Sequence, residues 1–202
     1  VQGSAGSFTY LQWGEPDDIP QPGDYDGDGK SDFAVFRPFT GTWYIKTSSG
    51  QISVVQFGVS TDKPVAADYD GDGRTDRAVF RNGTWYFQNS MSGFKVTQFG
   101  QANDIPVAGD YDGDGVIDLA AYRGGTWYIL TATTYTVRNL GLATDIPVPA
   151  DYDGDGKYDR AVWRPTTGNW YISRSGISES DIPIVLGVPG EIPVQSPHWL
   201  LP

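Results

Sequence analysis

The string Asp-Tyr-Asp-Gly-Asp-Gly occurs four times in this chain, starting at Asp24, Asp68, Asp110 and Asp151, and each copy is followed three residues later by one more Asp. Counting from the first Asp, carboxylates fall at positions 1, 3, 5 and 9. They are Asp24, Asp26, Asp28 and Asp32; Asp68, Asp70, Asp72 and Asp76; Asp110, Asp112, Asp114 and Asp118; and Asp151, Asp153, Asp155 and Asp159. Glycine stands at positions 4 and 6. Asp-Gly pairs on their own suit tight turns, but four carboxylates crowded into nine residues repel one another without a counter-charge. Calcium takes oxygen ligands from loop positions 1, 3, 5, 7 and 9, the seventh through a main-chain carbonyl. Position 7 here is Lys30, Arg74, Val116 or Lys157, the variation that a carbonyl ligand permits. The pattern predicts about four Ca2+ ions per chain. No Glu stands at position 12 and no helical periodicity flanks the loops, so they are not EF-hands.

The formal net charge is −11, and 16 of the 25 acidic residues lie in these loops. Four divalent ions would bring the charge to −3, so the acidity is ligand inventory and not a surface for a basic partner. It also argues against nucleic acid, whose binders present basic patches. There is no cysteine, which excludes a disulfide framework and thiol chemistry. No apolar run reaches the ~20 residues of a membrane-spanning helix, and no signal-peptide core is present, so the start at Val1 reads as a mature or trimmed terminus. Weak calcium sites, with dissociation constants of ~10⁻⁴ to 10⁻³ M, fill only where the ion is millimolar. That points to an extracellular setting, secreted or on the cell surface.

The loops belong to a longer repeat. Their starts are 44, 42 and 41 residues apart, a Trp-Tyr pair recurs at Trp43, Trp85, Trp127 and Trp170, and an apolar residue followed by Gly recurs up to Gly14, Gly58, Gly100, Gly141 and Gly187. Each unit reads as four short strands. In the second unit these are Pro64 to Asp68, Asp76 to Arg81, Thr84 to Phe87 and Phe94 to Phe99. β-Branched and aromatic residues dominate them, with Gly, Pro and Asp between. A period near 42 with four strands is the size of a propeller blade. The fold class is therefore all-β, a propeller-like array of four four-stranded blades with one calcium loop each. The units run over about 15–58, 59–100, 101–141 and 142–187 of a single domain, 1–202. Partial strands at 7–14 and 188–195 and a tail at 196–202 flank them. In the strand after each loop, Ala34, Ala78, Ala120 and Ala161 precede Phe36, Phe80, Tyr122 and Trp163 by two residues. This small-then-large alternation on one face suits interdigitation of blade against blade.

These residues resemble the FG-GAP, or VCBS-type, repeats that build the calcium-binding propellers of integrin α-subunits and of some fungal and bacterial lectins. The resemblance covers about residues 7 to 195 and rests on the Asp-Tyr-Asp-Gly-Asp-Gly-x-x-Asp loop followed by Ala-Val-Phe-Arg. It implies the propeller fold, bound calcium, and an extracellular adhesive or glycan-binding role. Propellers of that family usually have seven blades, whereas this chain has four full units and two fragments of a fifth. A four-bladed ring, a piece of a larger propeller, and a subunit whose overhanging strands engage a neighbour all fit that count.

An Arg ends the second strand of every unit, at Arg37, Arg81, Arg123 and Arg164. These guanidinium groups either face a ligand or pair with nearby aspartates, for which the planar fork is suited. In each Trp-Tyr pair the two side chains face opposite sides of the sheet. The Trp is expected in the core, and Tyr44, Tyr86, Tyr128 and Tyr171 are the better ligand candidates. The one His is His198, no Gly-x-Ser-x-Gly elbow is present, and the aspartates are committed to loops, so no catalytic site is expected. The sequence reads as a non-catalytic calcium-binding repeat module for adhesion or for glycan or protein binding. Alternatives are a self-assembling subunit of an extracellular polymer, homo-oligomeric through its terminal strands, and a targeting module of a larger secreted enzyme.

Overall fold

The computed structural model describes residues 10–176, 182–185 and 193. Among them there are sixteen strands and no helix, in four antiparallel four-stranded sheets. The first blade holds β1 (Ile19–Pro20), β2 (Phe33–Arg37), β3 (Thr42–Lys46) and β4 (Ile52–Gln56). The second holds β5 (Lys63–Pro64), β6 (Arg77–Arg81), β7 (Thr84–Asn89) and β8 (Gly93–Gln98). The third holds β9 (Ile105–Pro106), β10 (Leu119–Arg123), β11 (Thr126–Leu130) and β12 (Tyr135–Asn139), and the fourth β13 (Ile146–Pro147), β14 (Arg160–Arg164), β15 (Asn169–Ser173) and β16 (Ile182–Val185). Each sheet pairs in chain order, the meander of a propeller blade.

The first strand of each blade is shorter than the sequence suggests. In blade 2 only Lys63 and Pro64 pair with Phe80 and Val79. Proline has no N–H to give to the ladder. The chain still runs alongside β6: Val65 N–H donates to Ala78 O at 2.9 Å, and Ala67 forms an isolated bridge with Asp76. The loop is thereby closed at its base by one main-chain bridge, repeated as Gly23 with Asp32, Gly109 with Asp118 and Ala150 with Asp159.

The Trp of each Trp-Tyr pair faces the core in the first three blades, where Trp43, Trp85 and Trp127 are fully buried. Each sits directly across from the aromatic of the preceding strand, Phe36, Phe80 or Tyr122, with ring centroids 5.3 Å apart. Tilted and edge-on pairs at this distance add to the area term. The indole N–H groups donate to Phe57 O, Phe99 O and Leu140 O, so each of these three buried donors has a partner. Trp170 in the last blade is only partly buried. Close approach explains one glycine: a Cβ on Gly83 would lie 2.6 Å from Gly100 O, so the turn before β7 and the stretch after β8 meet backbone to backbone.

Blades join through their loops. Thr75 N–H donates to Asp24 O at 2.6 Å, Ile117 N–H to Asp68 O at 3.1 Å and Tyr158 N–H to Asp110 O at 2.6 Å. Beside each bond, the position-7 side chain of one loop covers the position-4 glycine of the loop before: Arg74 over Gly27, Val116 over Gly71 and Lys157 over Gly113. The expected strand over Phe8 to Trp13 is not formed by Tyr10–Trp13. The last strand of a blade pairs with the third strand of the same blade, as β4 does with β3; among the described residues Tyr10–Trp13 have no such partner. Phe8, Thr9 and residues 186–192 and 194–202, which carry the rest of the terminal fragments, lie outside the described residues.

Candidate metal and ligand site

Each loop gathers three carboxylates. Ligand atoms of Asp24, Asp26 and Asp32 lie within 4.8 Å of one another, as do those of Asp68, Asp70 and Asp76, of Asp110, Asp112 and Asp118, and of Asp151, Asp153 and Asp159. The backbone dictates this. Glycines 27 and 29, at φ 76° and 81°, turn their N–H groups onto Asp24, donating to Oδ1 and Oδ2 at 2.7 Å each. Tyr25, the loop's second residue, donates its N–H to Asp32 Oδ2 at 2.9 Å and its hydroxyl to Gln21 O at 2.9 Å. The same two bonds recur at Tyr69, Tyr111 and Tyr152. The invariant Tyr of the motif thus braces the loop at both ends.

The position-5 carboxylates, Asp28, Asp72, Asp114 and Asp155, stand outside these trios. Their Oδ1 atoms accept the N–H of position 7, from Lys30, Arg74, Val116 and Lys157. In three blades Oδ2 accepts a serine hydroxyl, from Ser48, Ser90 or Ser175. That bond is the leading reason why Asp28, Asp72 and Asp155 are held below the ordinary carboxylate range. The position-9 residues are different. Burial raises Asp76 and Asp159, and it pushes Asp118 up to about 6 with help from the neighbouring Asp112, Asp114 and Asp110 carboxylates.

These features fit a hard divalent cation. The donor set is all oxygen. Asp70 Oδ1 is buried without a hydrogen-bond partner while Asp70 Oδ2 accepts two main-chain N–H groups, from Met91 and Ser92. A buried carboxylate oxygen without a partner is costly, and a cation within the trio would satisfy it. In each blade the trio, the position-5 carboxylate and the position-7 carbonyl are the groups that would hold such an ion.

The four repeated arginines meet buried aspartates. Arg37 forks onto Asp18, Arg81 onto Asp62, Arg123 onto Asp104 and Arg164 onto Asp145, with Nε and Nη2 each donating at 2.5 to 2.9 Å. These aspartates went unmarked in the sequence. Their signal is a constant spacing, each 19 residues before its Arg. The other face of each guanidinium lies over Tyr44, Tyr86, Tyr128 or Tyr171, at 4.3, 4.7, 4.6 and 4.2 Å from the ring centroid. Arginine and tyrosine candidates are therefore brought together in every blade. Between blades 2 and 3 they open into a cleft of about 450 Å³ lined by Phe99, Gln101, Arg123, Tyr128 and Tyr135.

Four meandering blades with an acidic loop at the same corner of each define a β-propeller of acidic-loop repeats. Residues 24–79 match the family model of the FG-GAP-like repeat, and the same loop-and-meander unit recurs in all four sheets. A solved structure titled for specific recognition of non-reducing terminal N-acetylglucosamine by an Agrocybe aegerita lectin superposes with a TM-score of 0.55 at 16% identity. The alignment covers 82% of this chain and 51% of that one, so this chain spans about half the length of that lectin. A search of curated proteins gives no match. Among the described residues no helix is long and apolar enough to cross a membrane.

Proposed function

We propose that this chain is a non-catalytic, extracellular binding module whose blades are held in shape by calcium and whose ligand, a glycan or a protein, sits between blades. The observation that carries the reading is the cleft between blades 2 and 3. It combines flat aromatic walls at Phe99, Tyr128 and Tyr135 with polar groups at Gln101 and Arg123. Sugar rings present an apolar face and a rim of hydroxyls, and sites for small ligands are of this size and mixture. The lectin-like propeller among the structural neighbours is in keeping with it. The calcium part is supported by the trios and by the bare Asp70 Oδ1. Calcium would supply charge neutralisation and cross-linking within each loop, a structural role. A glycan array probed with the full chain in calcium tests the binding reading. Retained hits with wild type and their loss with Tyr128→Ala would support it. An array with no hit would overturn the glycan form.

A second reading, self-assembly, is favoured by the last loop. Among the described residues Gly154 has nothing within 4 Å, where Gly27, Gly71 and Gly113 are each covered by the next blade. Tyr152 is 36% exposed against 8% for Tyr69. The first blade of a second copy would fit there, a heterologous contact that yields rings or filaments. A chain that stays monomeric at high concentration in calcium, by light scattering, would exclude it.

A further inference from the structure

One residue in three of the blades holds two carboxylates of a loop at once. Ser48 Oγ–H donates to Asp28 Oδ2 at 2.5 Å while its N–H donates to Asp32 Oδ1 at 2.8 Å. Ser90 does the same for Asp72 and Asp76, at 2.6 and 2.7 Å, and Ser175 for Asp155 and Asp159, at 2.6 and 2.7 Å. These serines follow the third strand of their blades and lie 14 to 20 residues from the carboxylates they hold, so they bring a separate part of the blade onto the loop. Positions 5 and 9 are the pair they fix, and those two residues flank the span that must close around an ion.

The third blade departs from this. The residue in the same place is Ala132. It has no hydroxyl, and among the described residues no hydrogen bond reaches Asp114 Oδ2 or Asp118 Oδ1. Where the serine clamp would lie, a cavity of about 200 Å³ opens instead, lined by Asp114, Asp118, Leu130 and Ala132. The turn that follows is tied to itself, Thr133 and Thr134 N–H both donating to Thr131 Oγ1.

We propose, building on the calcium reading above, that Ser48, Ser90 and Ser175 are positioning residues that preset two loop carboxylates for the ion, and that the third loop is the weak site of the four. Preorganised ligands spare the ion the cost of ordering them. Partners that orient metal ligands from outside typically account for 10- to 100-fold in affinity. The third loop should therefore bind roughly 10-fold or more weakly than the others, leaving a chain that fills three sites first and the fourth only at higher calcium.

The test is calorimetric titration of calcium into chelator-stripped full-length chain, wild type against Ala132→Ser, Ser90→Ala and Asp112→Ala, with circular dichroism to check the fold. Wild type should show three tight sites and one weak site, and Asp112→Ala should lose only the weak class. Ala132→Ser should merge the fourth site with the tight class, and Ser90→Ala should create a second weak site. The gain expected of Ala132→Ser keeps the test decisive even if Ser90→Ala fails to fold. Four equal sites in wild type, or an Ala132→Ser titration identical to wild type, would overturn the serine assignment while leaving the calcium reading intact. A chain that binds no calcium at all would overturn both.

Discussion

Arg81 and Asp62 form a two-pronged ion pair, Nε to Oδ1 at 2.6 Å and Nη2 to Oδ2 at 2.7 Å, in which the aspartate side chain is wholly buried and the arginine is 30% exposed. The partners are unequal. Asp62 also accepts Val59 N–H and so fixes the turn that leads into β5. Removing the arginine strands a buried charge, and such losses cost about 3 to 5 kcal/mol. Arg81→Met is expected to destabilise by that order, measured by urea unfolding in saturating calcium. A loss under ~1 kcal/mol would show that the pair is not a structural support.

The same pair in the first blade gives a pH dependence. Burial of Asp18 works against its charged form, but hydrogen bonds from Arg37 and from Glu15 N–H outweigh it, and the carboxyl is held below its ordinary value of 3.8. A group whose pKa is lower in the folded state adds stability above its unfolded value and loses it as the pH falls through the folded one. Acidification below about pH 4 should therefore remove this contribution. Compared with wild type in chelator, Asp18→Asn should show a shallower loss of stability over that range, followed by thermal melts at stepped pH.

Stripping calcium should lower the melting temperature substantially, and adding it back should restore it. If free calcium stands ~100-fold above the dissociation constant, each site stabilises by ~2.7 kcal/mol, so four sites together rival the net stability of an ordinary domain. An unchanged melting curve in excess chelator would remove the metal from the account of the fold.

Within one loop, position 5 and position 7 should behave differently. Asp72→Ala should empty the second site. Arg74→Ala should keep the stoichiometry, because a carbonyl ligand survives any side-chain change, yet it should cost some stability, since the Arg74 side chain packs over Gly27 of the preceding blade. Equal loss of bound calcium in both variants, by metal analysis after dialysis, would refute the register.

Much of this was legible in the chain. The blade count, the loops, and the placing of Trp and Tyr on opposite faces follow from period and alternation alone, because they are properties of single strands. What stayed hidden depends on two segments meeting. Asp62 and Arg81, or Ser90 and Asp72, are joined only once a blade folds, and nothing in either residue's own neighbourhood announces the partner. The short first strand was missed for another reason: the Pro64 ring interrupts the ladder that its apolar neighbours suggest. Trp170 departs from the repeat through context: it stands in the same Trp-Tyr pair as its three buried counterparts but is less covered.

The joint between blades uses little that is particular to any one of them. Thr75, Ile117 and Tyr158 all make it through the main chain, and residues as unlike as Arg74, Val116 and Lys157 lie over the same glycine. Each blade carries one half of a joint on either side, so an in-frame copy of some 42 codons would arrive with both halves already matched. Such a chain can lengthen or shorten by whole blades without any new interface having to evolve, while the side chains in the clefts remain free to diverge.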